Sequence, residues 1–150
     1  MTATTAQLHE LLTYCMEFAQ TMLSETGDFL PFGANLSTDG EVVAVGGYDG
    51  NEKPAPQDIY RLLAEAFVSE AKTGNTSAVA LAANVNVPEK YKSLSKDALR
   101  VHLETQGFAR FIYVPYEIAT SGIFKKKRSP IMHEPISVDV DPSFFMSVST

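Results

Sequence analysis

The chain has 150 residues, of which 45% are hydrophobic and 20% charged, and its formal net charge is −6. This composition is typical of one globular domain and excludes the polar, highly charged class of disordered chains. The excess of acid argues against nucleic-acid binding, a single cysteine excludes an internal disulfide, and no stretch reaches the roughly 20 apolar residues of a membrane span.

The first predicted elements are an amphipathic helix and a β-hairpin. Apolar residues recur at helical spacing over residues 5–24, where Cys15 falls at an apolar position and is expected to be a buried, unreactive thiol. Strands are predicted at 30–36 and 41–48, joined by a tight Asp-Gly turn. Pro31 is expected at the start of its strand or on an edge, because proline cannot donate to a sheet ladder.

The middle of the chain predicts a second helix and three more strands. The helix covers about 57–72, a strand follows at 77–87, and a second hairpin joins a strand around 99–104 to one at 108–116. Residues 119–150 are interpreted as an extended or edge-strand tail. The whole chain, 1–150, is therefore predicted to be a single α+β domain. It has the element order α-β-β-α-β-β-β, with two main helices packed on a central antiparallel sheet of about five strands.

The alternation within two of these strands predicts what each face of the sheet contacts. In the strand at 77–87, the small residues Ala80 and Ala82 indicate a closely packed helix. In the strand around 99–104, Arg100, His102 and Glu104 alternate with apolar residues and are expected to point outward. His102 is accordingly predicted to be a solvated surface residue, and one face of the sheet to be solvated or used for contact.

The first hairpin, with Pro31-Phe-Gly-Ala34 and Asp39-Gly40, resembles the opening of the cytidine-deaminase superfamily. Enzymes of that kind need His or Cys zinc ligands and a catalytic glutamate at the start of the second helix, followed by a Cys-x-x-Cys pair. The second helix here begins Pro56-Gln-Asp-Ile-Tyr60, and the chain has only one cysteine. We therefore expect no zinc deaminase, no metal site and no cofactor.

Four segments also resemble a group of small uncharacterised bacterial proteins. The resemblance covers roughly residues 5–118 and implies a shared single-domain architecture, with no catalytic residue to carry over. The order of elements is similar to that of profilin-like and roadblock-like domains, which pack helices around an antiparallel sheet and often act by binding. The segments are Gly27-Asp-Phe-Leu-Pro-Phe-Gly-Ala34, Ala78-Val-Ala-Leu-Ala-Ala-Asn-Val85, Lys96-Asp-Ala-Leu-Arg-Val-His-Leu-Glu104 and Tyr113-Val-Pro-Tyr116.

Two sets of residues are candidates for function, and no catalytic residue is predicted. Aromatic residues on the two hairpins indicate a ligand or partner surface, and a basic run indicates an anion patch. The surface candidates are Phe32, Tyr48, His102 and Tyr113, and the patch candidates are Lys125, Lys126, Lys127 and Arg128.

The leading hypothesis is a non-enzymatic cytoplasmic binding or protein-interaction module, such as an immunity or accessory protein. Its partner is an unidentified protein or a second copy of itself, in a homodimer formed through a sheet face or edge. The alternative is a small-molecule-binding protein, or an enzyme of unknown chemistry, with a sheet-face pocket lined by the four surface candidates.

Overall fold

The computed structural model describes residues 2–47, 50–124 and 126–146. These residues form an α+β domain in which two long helices pack on a curled antiparallel sheet. A short 3₁₀ turn, Glu89–Tyr91, lies between the third and fourth strands. In chain order the helices and strands are α1 (Thr5–Thr26), β1 (Phe32–Leu36), β2 (Val42–Val45), α2 (Pro56–Thr73), β3 (Ala78–Asn86), β4 (Asp97–Thr105), β5 (Phe108–Ser121), β6 (Lys127–Met132) and β7 (Ile136–Asp139).

Both long helices begin and end where their sequences predict. Thr4 and Gln7 form a capping box at the start of α1, and Gly27 ends this helix with a left-handed φ of 80°. Pro56 is the first residue of α2, where a missing N–H costs nothing, and Gly74 ends that helix with a φ of 76°. Among the described residues, no helix has the length and apolar character needed to cross a membrane.

The sheet is larger than the predicted five strands. Among the described residues it has seven strands, in the order β2-β1-β3-β4-β5-β6, with β7 paired to β5 outside this path. The difference comes from β5, which continues from the predicted end at Tyr116 to Ser121 and pairs its two halves with different strands. Residues 116–121 pair with β6, and residues 110–113 pair with β7. The predicted tail therefore supplies two strands.

Each face of the sheet has its own helix. We call the α1 face the side where Ala80 and Ala82 pack with α1, which confirms the predicted close approach of a helix there. On the opposite side, the α2 face, Val79 and Leu81 pack with α2. Gly33 also lies on this side, because a Cβ added to it would lie 2.6 Å from Cζ of Phe67. The two helices thus cover both faces of the sheet at β1 and β3.

Candidate anion-binding cleft

A cleft opens on the sheet where β1 comes to its end. Strand β1 begins at Phe32, which pairs with Ala82 of β3. The residues of β3 after Ala82 therefore have no partner in β1. The position of Pro31 directly before this strand confirms its predicted place. The cavity left there has a volume of about 480 Å³. Its walls come from the segment before β1, the first turns of α2, and β3 with β4, and the lining residues are Asp28, Phe29, Leu30, Pro31, Pro56, Gln57, Tyr60, Ala83, Asn84 and Arg100.

Arg100 is the cationic group of this cleft. It projects from β4, paired with Ala83 of β3, and is half-buried. Its guanidinium carbon lies 4.4 Å from the centroid of the Phe111 ring and 5.5 Å from that of the Tyr60 ring. Contacts of this kind hold a guanidinium in place through the negative faces of the rings. The aromatic contacts therefore orient the side chain without neutralising its charge.

One polar atom of Arg100, its Nε, is not satisfied by the described residues. This nitrogen is buried and has no hydrogen-bond partner within ranges 2–47, 50–124 and 126–146. The ion pairs formed in the same part of the chain join other residues. Buried polar side-chain atoms in native proteins mostly have a partner, so the guanidinium of Arg100, a residue that lines the cavity, has hydrogen-bonding capacity that the described residues do not use.

A hydrogen-bonded chain positions a carboxylate on another wall of the cleft. Tyr116 donates its hydroxyl to Oδ1 of Asn84 at 2.7 Å, and Asn84 donates through Nδ2 to Oδ1 of Asp28, also at 2.7 Å. The same Asp28 oxygen accepts the backbone N–H of Phe29 at 2.7 Å. Burial raises the pKa of Tyr116, and the charges of Asp97 and Asp28 raise it further, against the effect of the Asn84 hydrogen bond. Tyr116 thus remains a donor, and Asp28 is held in a defined direction.

The cleft can therefore bind an anionic group at Arg100 and a donor group near Asp28. The planar guanidinium forms two parallel hydrogen bonds with a carboxylate or phosphate, a geometry that lysine cannot provide. The first turn of α2 lines the cavity at Pro56 and Gln57, and the carboxylate of Asp58 in the same turn offsets the positive end of the helix dipole. The remaining wall is mostly apolar, which suits a ligand with an apolar body.

A second polar cluster lies further along β4, on the α2 face. His102 Nε2 lies 2.8 Å from Oε1 of Glu104, and both residues are buried. The Glu104 carboxylate also accepts the backbone N–H groups of Ser143, Phe144 and Phe145 at 2.8, 2.7 and 2.6 Å. The His102 ring packs against Phe144, with 4.7 Å between the ring centroids. This cluster attaches the C-terminal segment 142–146 to the sheet.

The prediction that His102 is solvated is therefore wrong, as is the outward placement of Glu104. The pattern of β4 is genuine, but α2 and the segment 142–146 cover the face that was assigned to solvent. Burial opposes ionisation of Glu104, yet the hydrogen bonds from His102 and the three backbone amides outweigh it, and the pKa of Glu104 is lowered. Strand alternation cannot reveal such partners, because they come from a segment distant in sequence.

The predicted surface residues do not form one group, although His102 and Tyr113 lie on the same face of the sheet and both contact Phe111. Phe32 is buried on the α1 face, where its ring centroid lies 4.4 Å from that of Phe18. Val101 pairs with Ala82, and Ala82 pairs with Phe32, so these three residues point to the α1 face. His102 is the next residue along β4 and therefore points to the α2 face. Tyr113, across from Arg100, is buried in a separate cluster with Val87 and Ala98. Tyr48 lies outside the described residues.

The predicted anion patch is only partly a free surface. Lys126 and Lys127 are exposed, and Lys125 lies outside the described residues. Arg128 donates through Nη1 to the backbone oxygen of Glu25 at 3.2 Å, at the C-terminal end of α1. A cation at this end of a helix interacts favourably with its dipole. Arg128 therefore has a structural contact, which ties the β5–β6 hairpin to α1.

The residues that define the cleft were missed in the sequence. Arg100 is expected on the solvated side of its strand, Asp28 is interpreted as one of several ordinary surface acids around the first hairpin, and Tyr60 carries no local signal. A charged residue in the middle of a strand flanked by other strands was the one available indication for Arg100. Comparisons with protein-family models, curated proteins and solved structures found nothing that matches this chain. The cleft is therefore argued from its own geometry.

Proposed function

We propose that this chain is a binding protein for a small ligand that carries a carboxylate or phosphate group. The observation that carries the proposal is the orphaned, aromatic-flanked guanidinium of Arg100 beside a cavity of about 480 Å³. Of the two hypotheses drawn from the sequence, the cleft supports the small-molecule alternative, although with other residues than those first named. The protein-interaction module remains a prediction.

The walls of the cleft narrow the class of ligand. Leu30, Pro31 and Tyr60 offer apolar surface for a hydrocarbon or aromatic body, and Arg100 provides the anion anchor. Asp28 adds an acceptor held in place by Asn84. Small-molecule sites in proteins combine a mostly apolar wall with a few oriented polar groups, and this cleft has that composition. An apolar anion, with or without an ammonium group, is the proposed ligand.

A thermal-shift screen tests the proposal, because a ligand that binds only the folded state raises the melting temperature. The panel contains acetate, benzoate, phenyl phosphate, inorganic phosphate and phenylalanine, with benzamide as the neutral counterpart of benzoate. We expect an apolar anion to stabilise the wild type and benzamide to have no effect. The phenylalanine sample reports whether the Asp28 side of the cleft accepts an ammonium group.

Two arginine variants provide the matched comparison. Arg100→Met keeps an apolar side chain between Tyr60 and Phe111 but removes the anchor, and we expect it to lose the ligand response. Arg110→Met is the control, because Arg110 also lies over an aromatic ring, that of Phe108 at 5.3 Å, but is paired with Asp139 at 3.1 Å outside the cleft. An equal response of wild type and Arg100→Met would contradict the proposal.

A further inference from the structure

Strand β2 is an exposed edge of the sheet. It pairs with β1 on one side, and no strand among the described residues pairs with its other side. A strand edge presents unpaired backbone N–H and C=O groups and is a template for another strand. Two of its residues, Val43 and Ala44, are exposed. The backbone of β2 is therefore available for pairing.

The other edges of the described sheet carry proline or lysine, and β2 carries neither. Strand β6 contains Pro130, which lacks an N–H, and begins with Lys127 and Arg128. Strand β7 lies between two prolines, Pro135 and Pro142. Residues 42–47, by contrast, are Val-Val-Ala-Val-Gly-Gly, without charge or proline. Natural sheets protect free edges with lysine, proline, a cover or a short strand, and β2 has only the last of these, with four residues. Its edge therefore remains open to a pairing strand.

The surroundings of β2 on the α2 face are also apolar and open. Val43 lies on the α2 face, since it pairs with Asn35, which is on the same side as Gly33. Val43 is 44% exposed, and Leu62 of α2 is 39% exposed. On the α1 face, a hollow of about 510 Å³ lies beside Val42 and is lined mainly by polar residues of α1, which include Glu10 and Glu17. A strand added to β2 would thus gain apolar contacts as well as hydrogen bonds.

We propose that β2 pairs with β2 of a second copy of this chain, antiparallel and about a two-fold axis. Two identical strands paired in this way always present matching donors and acceptors, because a two-fold interface is self-complementary. The charges are also compatible. Glu41, directly before the strand, would lie at opposite ends of the pair, and residues 42–47 bring no like charges across from each other. The sheets of the two protomers would then be continuous.

The test is the oligomeric state of the full chain and of two lysine variants, measured by size exclusion with light scattering. We expect the wild type to have twice the mass of the 16.4 kDa chain. Val43→Lys puts a charge on the proposed interface and should give the monomer mass. Ile131→Lys is the control: Ile131 is 48% exposed on the protected strand β6, and its variant should stay dimeric.

A second measurement does not depend on the variants' folding. In the wild type, amide hydrogen exchange of residues 42–45 should be slow at high protein concentration and become faster on dilution, while β3 exchange stays unchanged. A wild type that is monomeric at high concentration would overturn the proposal. So would a Val43→Lys protein that keeps the dimer mass, or a dimer lost only in Ile131→Lys.

Discussion

Oε2 of Glu104 accepts a hydrogen bond from the backbone N–H of Phe144 at 2.7 Å, which joins β4 to a segment 40 residues further along the chain. The same carboxylate is bonded to His102 and to the amides of Ser143 and Phe145. A buried carboxylate is stable only when it is hydrogen-bonded or paired, and Glu104 is hydrogen-bonded to His102 and to three backbone amides. One side chain therefore accepts three backbone hydrogen bonds of the C-terminal segment, in addition to the packing of Phe144 and Phe145 in the core.

Glu104→Gln should destabilise the fold by about 2–3 kcal/mol, because it replaces a charged acceptor and turns an amide NH₂ toward backbone donors. The free energy of unfolding in urea measures the effect. Glu117→Gln is the matched control, since Glu117 forms a similar pair with His133 at 2.7 Å, but its side chain is 59% exposed. We expect the control to change stability by less than about 1 kcal/mol. Equal effects of both substitutions would contradict a special role for the buried pair.

The lowered pKa of Glu104 also predicts a pH dependence. In the folded state this carboxyl binds protons less readily than in the unfolded chain, so its contribution to stability is complete above the ordinary pKa of 4.5. The contribution is lost as the pH falls below that value and through the lower folded pKa. The unfolding free energy of the wild type should thus fall more steeply with acid than that of Glu104→Gln, in urea titrations over a pH series. Parallel pH profiles would be inconsistent with this.

Gly33→Ala should destabilise the protein by about 1–3 kcal/mol, the usual cost of overpacking a well-filled core. The added Cβ would lie 2.6 Å from Cζ of Phe67, whose ring is buried, and 3.1 Å from the backbone oxygen of Ala80. Gly46→Ala is the control, because a Cβ there meets no described atom within 4 Å. Thermal unfolding of the two variants makes the comparison, and a melting temperature for Gly33→Ala at or above that of Gly46→Ala would argue against the close approach.

Cys15 should not react with a thiol reagent in the folded protein at neutral pH. Cys15 is buried between α1 and the α1 face of the sheet. Burial raises the pKa of its thiol to about 12, so almost no thiolate is present. We expect no reaction with Ellman's reagent in buffer and complete reaction of one thiol in denaturant. Rapid labelling of the native protein would show that α1 opens easily from the sheet.

The local elements were largely determined by the sequence alone. The hydrophobic period and the end signals predict α1 and α2 to within a few residues, because Gly27, Pro56 and Gly74 end or begin a helix through their own backbone conformation. The small side chains of Ala80 and Ala82 predict that a helix packs closely on their face, and α1 does so. This prediction is possible because the alternation of side chains along a strand is a local property of the sequence.

Only the tertiary structure decided which polar residues face water and which form a site. Arg100, His102 and Glu104 follow the same alternation along β4, yet His102 and Glu104 are buried beneath a distant segment while Arg100 lines an open cleft. Their partners, such as Phe144 for Glu104 and Tyr60 for Arg100, come from other elements of the chain. The sequence determined the side on which each residue points, and long-range packing determined what each of them contacts there.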